Sequence, residues 1–148
     1  MPIILKRLSI GTIFVAIANG TGSAVNFQAN NNITFNKFDT SEYNPILAVI
    51  DDNQLSMKAG NDIVFNNYSK GNMITVDEGP DFDEGGKLQM NAGHDITFNQ
   101  SYSDPRFASS LSLLSLQDYS DTTITAGNDI NFNRYKYNPF IDLYRYAK

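Results

Sequence analysis

Cysteine and tryptophan are absent from the 148 residues, and a single histidine, His94, is present. Without cysteine there is no disulfide framework, no thiolate-ligated metal and no thiol nucleophile. Basic residues are scarce, 11 against 16 acidic for a formal charge of -5, and that balance speaks against a nucleic-acid surface. Long apolar runs are lacking too. The longest, Leu8 to Ala18, has 11 residues, short of the roughly 20 that a spanning helix needs, so no membrane-spanning segment is expected in the mature chain. What is abundant is asparagine, with 18 copies, more than the turns of one ordinary domain require.

Residues 1–24 have the order of a secretory signal: a basic start at Lys6 and Arg7, the apolar run, then the small polar stretch Asn19 to Ala24. Small residues at Gly22 and Ala24 suit cleavage after Ala24, and Ala16 and Ala18 offer a second site. A buried apolar helix or strand is the alternative for this segment. Removing it would take away Lys6 and Arg7 and leave a more acidic chain.

Four segments then align without gaps: Val25 to Asn36 (VNFQANNNITFN), Leu55 to Asn66 (LSMKAGNDIVFN), Leu88 to Asn99 (LQMNAGHDITFN) and Thr122 to Asn133 (TTITAGNDINFN). Successive copies are offset by 30, 33 and 34 positions. Each column has a role. Val25/Leu55/Leu88/Thr122 and Phe27/Met57/Met90/Ile124 alternate with polar residues, the pattern of a strand with one buried face. Gly60, Gly93 and Gly127, with Asn30 in the first copy, are expected at a sharp corner where a positive φ is needed. Ile33/Ile63/Ile96/Ile130 and Phe35/Phe65/Phe98/Phe132 give a second strand of the same inward parity. A third apolar run lies between copies: Ile46 to Ile50, Met73 to Val76 and Leu111 to Leu116.

Three short strands per unit cannot bury their inner faces alone, whereas stacked units share one continuous core. The expected fold is an all-β, right-handed parallel β-helix, a solenoid of three to four coils over residues 25–134 after the signal peptide. The handedness follows the fold family. The alternative is an antiparallel β-sandwich. Residues 135–148 are read as an aromatic cap or the start of a further coil, since Tyr137-Asn138-Pro139 echoes Tyr43-Asn44-Pro45. In such a stack Asn32, Asp62, Asp95 and Asp129, and likewise Asn36, Asn66, Asn99 and Asn133, form columns expected to act as structural ladders that satisfy corner backbone.

Chemistry is thinly represented. The acidic loop of Asp77 to Gly86 supplies candidate ligands for a weak calcium site, Asp77, Glu78, Asp81, Asp83 and Glu84, but it lacks the EF-hand register and reads as a solvated insertion. Gly60 to Phe65 resembles half of a calcium-binding nonapeptide, yet it recurs only once per motif copy, too seldom for consecutive nonapeptides to share an ion. His94 replaces asparagine in a corner column and lacks a reactive partner. Ser109, Ser110, Ser112 and Ser115 alternate with leucines, with no nucleophile elbow around them. No catalytic residue, cofactor or glycosylation site is expected.

The motif LxMxAGxDIxFN behind a signal peptide resembles the repeats of type V secretion passengers of Gram-negative bacteria, both filamentous-haemagglutinin-like proteins and polymorphic-membrane-protein autotransporters. The resemblance covers Val25 to Asn133. It implies a non-enzymatic, adhesin-like protein, secreted or held at the outer-membrane surface, that meets a protein or glycan of a host or bacterial cell. Passengers of those families usually carry a translocator or a recognition domain as well, which 148 residues do not accommodate. A truncated passenger relic and a carbohydrate-active β-helix enzyme are the alternatives. Open coil ends imply self-association.

Overall fold

The computed structural model describes residues 3–5, 8–10, 15–17, 22–37, 45–68, 72–77, 85–101, 113–133, 141–143 and 147. Every described element is a strand. They fall into five groups of three: β1 (Ile3–Leu5), β2 (Leu8–Ile10) and β3 (Val15–Ile17); β4 (Ala24–Ala29), β5 (Ile33–Lys37) and β6 (Leu47–Val49); β7 (Gln54–Ala59), β8 (Ile63–Asn67) and β9 (Ile74–Val76); β10 (Lys87–Ala92), β11 (Ile96–Gln100) and β12 (Leu114–Leu116); β13 (Asp121–Ala126), β14 (Ile130–Asn133) and β15 (Ile141–Leu143). The first strand of each group enters one sheet, the second another and the third a third. The orders are β1-β4-β7-β10-β13, β14-β11-β8-β5-β2 and β15-β12-β9-β6-β3.

All described pairings are parallel, which excludes the antiparallel sandwich. The register is that of the repeat. Phe27 lies beside Met57, Met57 beside Met90 and Met90 beside Ile124, while Phe35, Phe65, Phe98 and Phe132 are successive partners in the second sheet. Insertions that make the later repeats longer than the first therefore sit between strands and leave the pairing undisturbed. The segment read as a leader also supplies three strands, which pair with β4, β5 and β6.

Alternation decides what is inside. Along β10 exposed and buried residues alternate strictly, and β8 and β11 bury every second side chain. The four phenylalanines form a continuous pile, with centroid separations of 5.0, 5.2 and 5.0 Å and planes within 7° of parallel. Each fully buried aromatic or branched side chain contributes about 1.5–3 kcal/mol. The third-sheet strands are shorter than their apolar runs, because Ile46, Met73 and Leu113 immediately precede β6, β9 and β12 and are buried as bends.

The corner between first and second sheets corrects the reading of its glycines. Gly22 alone among the described glycines has positive φ, 75°. A Cβ on Gly60 would instead overlap the carbonyl oxygen of Asn30, one on Gly93 that of Gly60, and one on Gly127 that of Gly93. Glycine is required by the approach of one unit to the next. Positive φ appears instead in the turns entering the first sheet, at Asp51 (60°) and Tyr119 (55°). Each is closed by a side chain two residues beyond or next to it: Asn53 Nδ2 donates to the Ile50 carbonyl at 2.6 Å, and Ser120 Oγ to that of Gln117 at 2.6 Å. Asn53 is wholly buried, and its Oδ1 accepts the Ser23 N–H at 3.0 Å.

Thr122 sits in the column otherwise filled by Val25, Leu55 and Leu88, and its buried Oγ1 has no hydrogen-bond partner. Thr122→Val keeps the shape and removes the unsatisfied hydroxyl. It is expected to stabilise the protein by about 1 kcal/mol, read as a higher urea midpoint at unchanged slope.

Candidate functional site

The two asparagine-rich columns differ in how they bond. Asn66 Nδ2 donates to Asn36 Oδ1, Asn99 Nδ2 to Asn66 Oδ1 and Asn133 Nδ2 to Asn99 Oδ1, each at 2.8 Å. This is a side-chain ladder running toward the N-terminal units. In the other column the donor is backbone: the Asp62 N–H reaches Asn32 Oδ1 at 3.3 Å, that of Asp95 reaches Asp62 Oδ1 at 3.2 Å, and that of Asp129 reaches Asp95 Oδ1 at 3.1 Å. Only the acceptor is needed there, so Asp serves as well as Asn. In the ladder the same side chain both donates and accepts, which Asp cannot do when ionised. The identity of each column follows from that difference.

Asn99→Ala removes two ladder bonds, against one for Asn133→Ala. At about 1 kcal/mol per net bond, the first is expected to lower stability by about 2 kcal/mol and the second by about half as much, as equilibrium unfolding would show. His94 is exposed, and its backbone continues the corner column by accepting from Asn128 and donating to Asn61, each at 2.9 Å. Ser115 is buried in β12, between Leu114 and Leu116. Among the described residues, no three His, Asp or Glu side chains converge on one point. Asp77 is half-buried at the start of the acidic loop, with its backbone N–H on the Val49 carbonyl at 2.9 Å. Glu78, Asp81, Asp83 and Glu84 lie outside the described residues, as do the loop after Ser101, Arg106, and the cap residues 135–148 apart from 141–143 and 147.

A concavity lies on the outer face of the first sheet. A groove of about 230 Å³ crosses β4, β7, β10 and β13, with Asn26, Gln54, Ser56, Gln89, Lys87 and Thr123 along it and Asp121 at its end. These residues come from the outward parity of the strands: Asn26, Ser56, Gln89 and Thr123 are direct partners across successive strands, as are Gln54, Lys87 and Asp121. The apolar side chains of the same strands face the opposite way. Two of the three lysines among the described side chains, Lys58 and Lys87, are exposed on this face, and Lys37 is buried elsewhere. Asp121 is the one described carboxylate on it. The residue types vary from unit to unit, so the sequence carried no repeat signal for this groove, only the rule of parity.

Among the described residues no helix is long and apolar enough to cross a membrane. No family model, no curated protein and no solved structure matches this chain.

Proposed function

We propose that the chain is a right-handed parallel β-helix that is exported and acts as a non-enzymatic, adhesin-like binding protein, secreted or displayed at the surface of a Gram-negative cell. The observation that carries the reading is the stacking of four motif copies in one register, with the inward columns of the first sheet alike and its outward columns varied. A scaffold of this kind separates the two tasks. Inward identity holds the stack together, while outward variation is free to make a recognition surface. The partner is a protein or glycan on a host or neighbouring bacterial cell, with self-association through open ends as a further contact. Cleavage after Ala24 would fall within β4, at its first residue, and leave β4 to β6 as the first unit of the exported protein.

Two measurements test this together. N-terminal sequencing of protein recovered from the medium or cell surface is expected to begin at Val25, and the recovered protein is expected to bind whole cells. An uncleaved, cytoplasmic product that binds no cells would overturn the proposal.

A further inference from the structure

We infer that the groove on the outer face of the first sheet binds a linear glycan bearing widely spaced carboxylates, a uronate-containing chain. This rests on the adhesin-like reading and adds the site and the ligand class. Beside Lys87, Asp121 and the apolar Ala24, Leu55 and Leu88, five of the ten lining residues carry amides or hydroxyls, Asn26, Gln54, Ser56, Gln89 and Thr123. Such groups both donate and accept, as sugar hydroxyls do, and among the described residues that line it there is no aromatic ring. The groove crosses four strands at about 4.8 Å each, a shape that suits an extended chain lying along the stack.

Charge selects among extended chains. The described carboxylates lie elsewhere except for Asp121, whereas Lys58 and Lys87 stand on this face. Its described side chains thus carry two positive charges against one negative, in a chain of net charge -5. Lys58 is the partner of Asn91, four residues along β10 from Lys87, which puts the two lysine Cα positions about 14 Å apart from strand rise and spacing. A nucleic-acid strand carries a charge about every 3.4 Å, far denser than this surface can match. Sparse carboxylates on a hydroxylated chain suit two lysines this far apart, with Lys87 inside the groove and Asp121, its direct partner on β13, taking hydroxyl donors.

The test is titration calorimetry of the purified protein with a hyaluronan oligosaccharide, in which a uronate alternates with a neutral sugar, a neutral chito-oligosaccharide of equal length and a heparin-derived oligosaccharide. The hyaluronan oligosaccharide is expected to bind with a Kd of about 1 mM or tighter. Lys87→Gln and Gln89→Ala are each expected to weaken it about tenfold or more, and Thr97→Ala, on the outer face of the second sheet, to leave it unchanged. No binding at about 10 mM, equal binding of the neutral chain, preference for the sulfated chain, or a Lys87→Gln variant that binds as before would each overturn the inference. Circular dichroism of the variants separates loss of the site from loss of the fold. If cell binding persists while the hyaluronan oligosaccharide fails, the adhesin-like reading stands and this inference falls; if both fail, both fall.

Discussion

Phe65→Ala is expected to lower stability by about 3–5 kcal/mol, enough to unfold a marginal domain at moderate temperature. Phe65 is wholly buried. Its ring lies between Phe35 and Phe98, at 5.0 and 5.2 Å, in a pile whose members belong to three different motif copies. Truncation removes two ring contacts, each worth about 0.5–1.5 kcal/mol beyond area, and opens a cavity that neighbours held by backbone pairing on both sides cannot fill. The effect should depend on position. Phe132 occupies the same column in the last motif copy and is half-buried, so Phe132→Ala should cost clearly less. Urea unfolding of the two variants checks both magnitude and order, and equal losses would mean that the copies do not stack as described.

Gly93→Ala is the second large effect, and one methyl group causes it. The added Cβ would overlap the carbonyl carbon and oxygen of Gly60, which are backbone and cannot swing aside. Relief requires the units to separate at the corner, where the Gly93 N–H bonds the Ala59 carbonyl at 3.1 Å and the His94 N–H bonds that of Asn61 at 2.9 Å. Overpacking costs about 1–3 kcal/mol when side chains can adjust; here the loss should reach about 3 kcal/mol or more. In the uncleaved chain, which retains residues 1–24, Gly22→Ala provides the contrast. Its site is exposed and the nearest atom to an added Cβ is a side-chain oxygen of Asp52 at 3.8 Å. The cost there comes from φ alone, about 1–2 kcal/mol. Thermal melting of both variants distinguishes a packing glycine from a conformational one.

These two glycines mark what the sequence could and could not reveal. Spacing alone placed Gly93 at a corner, but a recurring column in one chain does not say whether the chain needs glycine for its own dihedral or for its neighbour's carbonyl. Only the stacked distance decides that. The inward columns from Leu55 to Phe98 were legible because each apolar side chain recurs at the same offset and parity. The ladder of Asn36, Asn66, Asn99 and Asn133 was legible for the same reason, while the exchange of Asn32 for Asp in later copies foreshadowed a ladder that uses acceptors only. Lys37, Asn67 and Gln100 escaped notice. They are buried one position beyond the asparagine ladder, on the inward parity of β5, β8 and β11, and the residue differs in each of the three copies. The groove was hidden for a related reason: Asn26, Ser56, Gln89 and Thr123 become one surface only after strands from four separate motif copies are paired.

Successive motif copies lie side by side, parallel and in register, and engineered cross-links test this arrangement most directly because the chain has no cysteine of its own. Ser56 and Gln89 are partners on adjacent strands, and Asn26 and Gln89 are two strands apart. Adjacent strands put Cα atoms about 4.8 Å apart, within the range of about 4.4–6.8 Å that a disulfide spans, and the two-strand separation of about 9.6 Å exceeds it. The Ser56→Cys/Gln89→Cys protein is therefore predicted to form an intramolecular disulfide on mild oxidation, and the Asn26→Cys/Gln89→Cys protein to remain reduced. Cross-linking of the second pair in place of the first, or of neither, would contradict the stacked register.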